Sequence, residues 1–199
     1  MEQVLTQSQV YYIHRAFSLT ASILNSNNIP FFLTGGTLLG WARCGGMIKY
    51  DDDIDIAIHK KYKDVILNDL QINFSWLKLK VVKPSALYLK VKWEREYDDN
   101  QDIWIDLTFY DDEGYDLRKS KRNRKYDLPS VFPLIPVQFS KIKPNVYIPS
   151  NFDEYLRKIF PDWEETAIIY NHKDNKKSKV VLNINEHPEL LECLKYHFK

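Results

Sequence analysis

Cysteine is almost missing from this chain of 199 residues: only Cys44 and Cys193 occur, far apart in sequence. Two cysteines build neither a disulfide framework nor a Cys-rich zinc site, so free thiols in a reducing compartment are the expectation. Net charge is nearly missing as well, at +1. No general field therefore steers the molecule onto nucleic acid, and any affinity for a polyanion has to come from a local patch. No apolar run approaches membrane-spanning length, and an N-terminus carrying Glu2, Gln3, Gln7 and Gln9 does not read as a signal peptide. A soluble, cytoplasmic protein is expected, although the sequence is also compatible with a fragment of a longer anchored one. Internal repeats and low-complexity segments are absent too.

What is present is the composition of a globular protein, with 44% hydrophobic and 28% charged residues. The length suits one compact domain over 1–199. Thirteen Tyr, ten Phe and five Trp predict an aromatic core and cleft.

The most informative stretch is Leu33 to Ile58, LTGGTLLGWARCGGMIKYDDDIDIAI. A short apolar run (Phe31, Phe32, Leu33) leads into a Gly35-Gly36-Thr37 turn and a helical segment reaching Arg43. Acidic and apolar residues then alternate. On a strand, side chains two apart share a face, so Asp51, Asp53 and Asp55 are placed on one side and Ile54, Ile56 and Ile58 on the other. Like charges so close are costly unless a cation sits among them, and all-oxygen ligands suit Mg²⁺ or Mn²⁺. A solvated acidic turn is the alternative.

Two other motifs fail. An EF-hand loop starting at Asp51 needs Gly where Ile56 stands and Glu where Tyr62 stands. A P-loop starting at Gly35 needs Lys where Trp41 stands. What remains is a strand, a glycine turn and a helix N-terminus beside carboxylates. Gly35 and Gly36 let a ligand approach the backbone, Thr37 caps the helix or touches a phosphate oxygen, and the N–H groups of the first turn favour phosphate.

Elsewhere, apolar spacing predicts an amphipathic helix from Thr6 to Asn28, with His14 and Arg15 on the surface, and a second helix from Lys60 to Leu70. Trp76–Val82 and Ala86–Trp93 read as a hairpin. In its second arm Tyr88, Lys90 and Lys92 share a face; either they line the cleft and meet donor phosphate, or they are solvated. In the strand Ile103–Tyr110, Asp106 faces away from Ile105, Leu107 and Phe109. An acid in so apolar a strand has to be metal-bound or paired with a lysine. Arg118–Lys125, mostly basic, reads as an anion-docking patch or a solvated loop. Phe132–Trp163, with its prolines, reads as edge strands and turns, and Glu189–Phe198 as a final helix.

The pattern GGTLLGWARCGGMIKYDDDIDI resembles the signature of the LicD/fukutin family over about twenty residues. Lys49-Tyr50 stands where Pro-Trp is common, and Phe160-Pro161-Asp162-Trp163 resembles a Tyr-Gly-Asp-Trp-like block. The resemblance implies an α+β, nucleotidyltransferase-like (polymerase-beta-type) mixed sheet flanked by helices. It also implies transfer of phosphocholine or a polyol phosphate from a CDP-linked donor to a glycan hydroxyl, with release of CMP. Under it, Asp53, Asp55 and Asp106 are the catalytic metal ligands for Mg²⁺ or Mn²⁺, and Asp51 is a supporting ligand. Gly35, Gly36, Thr37, Lys90 and Lys92 hold the donor, and Arg43 neutralises the leaving group. Two alternatives stay open: transfer of NMP to a small molecule, protein or RNA, and a non-catalytic nucleotide-binding module.

Overall fold

The computed structural model describes residues 5–83, 88–93, 104–112, 131–171 and 178–194. Arg118–Lys125 lies outside them.

Helix α1 (Gln7–Ser26) starts at a capping box: the Thr6 hydroxyl accepts from the Gln9 N–H, and the Gln9 side chain accepts from the Thr6 N–H. Its stripe of Val10, Ile13, Phe17, Ala21 and Leu24 is buried, as the spacing predicts. His14 departs from the expectation. It is buried on the same side of the helix, with Nδ1 2.8 Å from the Val10 carbonyl oxygen and its ring stacked on Phe139. Arg15 is exposed.

Strands β1 (Phe31–Leu33), β2 (Ile54–His59), β3 (Leu79–Val82), β4 (Tyr88–Trp93) and β5 (Trp104–Tyr110) form a five-stranded sheet in the order β1-β2-β5-β4-β3. β2 and β5 run parallel, and the other neighbours are antiparallel. On one face Ile54, Ile56, Ile58, Ile105, Leu107, Leu89 and Val91 are all buried. Helix α1 packs there on β4 and β5, and the Trp93 indole donates to the Tyr12 carbonyl. On the other face, helix α2 (Gly35–Cys44) packs on β2 and on helix α4 (Phe152–Ile159). From α4, Tyr155 meets Phe32 edge to face.

The helix expected from Lys60 to Leu70 is present but irregular. A 3₁₀ turn (Lys60–Tyr62) and a π turn (Val65–Asp69) precede helix α3 (Gln71–Trp76). The Leu70 N–H reaches the Val65 carbonyl, and this wider turn brings Ile66, Leu70 and Phe74 together beneath the sheet. Trp76 therefore ends a helix instead of opening a strand.

Beyond the sheet are two hairpins, β6 (Leu134–Val137) with β7 (Val146–Pro149), and β8 (Thr166–Asn171) with β9 (Ser178–Asn183). Among the described residues, the final helix expected from Glu189 is a 3₁₀ turn, Pro188–Leu191, and residues 195–198 of that expectation lie outside them. Cys193 then pairs with Ile48 in an isolated bridge, and the Leu194 N–H bonds the Met47 carbonyl. The expectation of free thiols is corrected as well, since Cys44 and Cys193 form a disulfide. Their distance in sequence concealed a closeness that only the packing of the chain end on the 44–49 loop creates. The support that free thiols lent to a reducing compartment goes with it.

Candidate metal and phosphate site

Parallel pairing of β2 with β5 places Asp55 directly beside Asp106, and antiparallel pairing of β5 with β4 places Lys90 beside Asp106 on the other side. A row of acid, acid and base thus crosses the sheet face that α1 leaves uncovered. β2 begins only at Ile54, so Asp51, Asp52 and Asp53 lie in the segment leading into it and not on the strand. Asp53 still joins the row: ligand oxygens of Asp53, Asp55 and Asp106 lie within 4.8 Å of one another. Asp51, Asp52 and Asp53 form a second group of the same kind, so Asp53 is common to both. Asp52 was not singled out in the sequence, where its position between two alternating acids hid it.

The carboxylates lean on the first turn of α2. A Cβ on Gly35 would lie 2.5 Å from Asp55 Oδ2, and one on Gly36 would lie 2.7 Å from Asp51 Oδ2. Gly35 also has φ of +56°, a conformation that other residues rarely adopt. Helix N-cap geometry falls to Thr34, whose hydroxyl is 2.9 Å from the Tyr155 hydroxyl. Thr37 is buried, and its Oγ1 accepts the Asp55 N–H at 2.8 Å, pinning the helix to the acidic strand. Tyr155 thus supports the glycine turn from a distant helix, and no local signal in the sequence pointed to it.

Oδ2 of Asp51 is buried without a hydrogen bond. Burial, followed by repulsion from Asp53, Asp55 and Asp52, holds its carboxyl well above the usual carboxylate range. Asp106 Oδ1 is likewise buried without a hydrogen bond, with Lys90 Nζ 3.1 Å away. Lys90 Nζ also sits 3.6 Å from the centroid of the Trp104 ring. The structure thus shows the lysine-paired arrangement of Asp106, with the Asp53 and Asp55 carboxylates within reach of it. Lys92 lies on the Lys90 face, in register with Trp104 on one side and Lys80 on the other.

Arg43 is placed elsewhere. At the opposite end of α2 from the glycines, its Nε donates to the Trp163 carbonyl at 3.1 Å and its Nη2 to the carbonyls of Trp163 and Thr166. Burial lowers its pKa to about 10. Its bonds tie α2 to the segment after α4.

Clustered carboxylates, with Asp51 Oδ2 buried and unsatisfied among them, match the donor set of a hard, oxygen-coordinated divalent ion such as Mg²⁺ or Mn²⁺. The adjacent helix N-terminus and lysines match phosphate.

The sequence model described as LicD/FKTN/FKRP, nucleotidyltransferase domain, matches residues 28–151, more than half of the chain. An uncharacterized protein of Rickettsia prowazekii is 28% identical over 87% of this chain and 65% of its own length. Its counterpart in Rickettsia typhi is 25% identical over 94% of this chain and 60% of its own. Human ribitol-5-phosphate transferase FKTN is 30% identical over 69% of this chain and 30% of its own length. The chain thus spans less than two thirds of these relatives. Among solved structures, the lincosamide antibiotic adenylyltransferase LnuA aligns with a TM-score of 0.43 at 13% identity, covering 71% of this chain and 83% of that one. The family match takes in the glycine turn, the acidic run and Asp106 together: this chain belongs to the LicD/FKTN/FKRP family and carries its nucleotidyltransferase domain.

Proposed function

We propose that the protein transfers a phospho-alcohol, phosphocholine or a polyol phosphate such as ribitol phosphate, from a CDP-linked donor to a glycan hydroxyl, with Mg²⁺ or Mn²⁺ as cofactor. The observation that carries this reading is the meeting of Asp53, Asp55 and Asp106 beside the first turn of α2, where Gly35 and Gly36 leave room for the carboxylates of Asp55 and Asp51. Family membership and the ribitol-5-phosphate transferases among its relatives support it.

Phosphoryl transfer asks a protein mainly for positioning and charge neutralisation. Asp53, Asp55 and Asp106 would hold the cations, with Asp51 beside them; bound there, the ions supply charge neutralisation at the diphosphate. The first turn of α2 orients donor phosphate by its backbone N–H groups. Asp106 stands between Asp55 and Lys90, where it can accept the proton of the incoming hydroxyl. With Arg43 engaged elsewhere, Lys90 and Lys92 bring the positive charge that faces the leaving CMP.

The test is turnover with Mg²⁺ or Mn²⁺ across a panel of CDP-alcohols and NTPs with glycan acceptors. Release of CMP from a CDP-alcohol is expected. Release of pyrophosphate from an NTP would replace this reading with NMP transfer. Metal-dependent binding without turnover of any donor would replace it with a nucleotide-binding module. In parallel, metal should raise the melting temperature of the wild type and leave an Asp53→Asn/Asp55→Asn variant unmoved.

A further inference from the structure

One carboxylate of the site is claimed from two sides. Asp106 stands in register with Asp55 on β2 and with Lys90 on β4. Its ligand oxygens belong with those of Asp53 and Asp55, all within 4.8 Å of one another. Its Oδ1 also lies 3.1 Å from Lys90 Nζ, and the two side chains are only 17% and 12% exposed. Water therefore screens this ion pair little.

The two partners differ in what they can do without each other. Asp106 Oδ1 is buried, and a buried carboxylate left without any cation is costly. The ammonium of Lys90 has a second resting place. It sits 3.6 Å from the centroid of the Trp104 ring and 6.0 Å from that of Tyr88. Trp104 precedes Asp106 by two residues on β5, so both point to the same side of the sheet. An indole face attracts an ammonium through its quadrupole, so Lys90 can leave Asp106 and still be held. On its other flank Lys90 is in register with Val82, which offers no competing charge.

We propose that Lys90 is the tethered counter-ion of Asp106 in the empty site and competes with the divalent ion for that carboxylate. The inference rests on reading Asp53, Asp55 and Asp106 as metal ligands. A divalent ion held by these three carboxylates is brought against the ammonium, and like charges at that range repel. Metal uptake and retreat of Lys90 from Asp106 onto the Trp104 ring are then one event. Before it, the ammonium offsets the repulsion among the clustered acids; after it, the ammonium stays on the sheet face where donor phosphate is proposed to lie.

The experiment is isothermal titration of the 199-residue chain with Mg²⁺ and with Mn²⁺, without donor or acceptor. Lys90→Met should bind the ions more tightly by about tenfold or more, the size of effect a unit charge at this range has on a carboxylate. Lys90→Gln, equally neutral but still able to donate to Asp106, should do the same and serves if Lys90→Met fails to fold. Lys92→Met, on the same face but in register with Trp104 and Lys80, should tighten binding much less. In an Asp106→Asn background, replacing Lys90 should leave metal affinity nearly unchanged, because the shared carboxylate is gone. Unchanged or weaker binding in both neutral Lys90 variants would overturn the inference and leave the metal site standing. A gain that persists with Asp106→Asn would overturn it too, by assigning the effect to the general field of the lysine. Binding of neither ion to any of these proteins would remove the metal-site reading itself, and this inference with it.

Discussion

Gly36 faces Asp51 so closely that a Cβ there would lie 2.7 Å from the buried Asp51 Oδ2. Gly36→Ala should therefore move the carboxylate before it moves the backbone, because a side-chain oxygen yields more cheaply than a helix. Alanine is the better helix former by about 1 kcal/mol, so the fold should persist. The expected outcome is an unchanged or slightly raised apo melting temperature together with a smaller rise on adding Mg²⁺ or Mn²⁺. A full metal response in Gly36→Ala would show that the position of Asp51 does not matter to the cation.

Asp106 and Lys90 separate chemistry from stability. Asp106→Asn should lower kcat by about a hundredfold or more while donor affinity changes little, because an acid beside the incoming hydroxyl acts chiefly in the transition state. Lys90→Met leaves the buried Asp106 Oδ1 without its cation and should cost on the order of 1–3 kcal/mol in denaturant titration. If Asp106→Asn lowered stability while leaving the rate per folded molecule intact, the pair would be structural only.

Arg43 should behave in the opposite way to a substrate ligand. Its guanidinium bonds the carbonyls of Trp163 and Thr166, so Arg43→Met should lower the melting temperature. KM for the donor should stay near the wild-type value. A large rise in KM without loss of stability would return Arg43 to the donor site.

His14 sets an expected acid sensitivity. Burial lowers its pKa below the usual 6.5, against a smaller upward pull from the Val10 carbonyl. The unfolded chain therefore takes up a proton near pH 6.5 that the folded chain still refuses. This contribution to stability is fully present above pH 6.5, declines as the pH falls below it, and levels off once the lowered folded value is passed. In denaturant titrations from pH 7.5 to 5, stability should change less favourably with falling pH in the wild type than in His14→Gln, since the raised Asp51 carboxyl acts alike in both. Parallel profiles would exclude His14 as its source.

Much of this was legible in the residues because it is local. Alternation of Asp and Ile separates the faces of β2, since side chains on a strand point alternately to its two sides. Asp106 is set apart from Ile105 and Leu107 by the same rule, and the turn at Gly35-Gly36 is marked by residue type. The stripe of α1 and its capping box follow from helical periodicity. None of these needs knowledge of a partner segment.

Other features depend on contacts between distant segments. Asp55 meets Asp106, and Asp106 meets Lys90, only because β5 lies between β2 and β4, and strand order is decided by the packing of whole faces. The Arg43 guanidinium finds carbonyls 120 and 123 residues away, the Cys44–Cys193 disulfide spans 149 residues, and His14 is buried because Phe139 comes to rest on its ring. Residue type and spacing declare what a side chain is able to do and which way it points from its own strand or helix. Which groups it then encounters is settled by burial of the two sheet faces, which brings remote segments together to remove apolar surface from water.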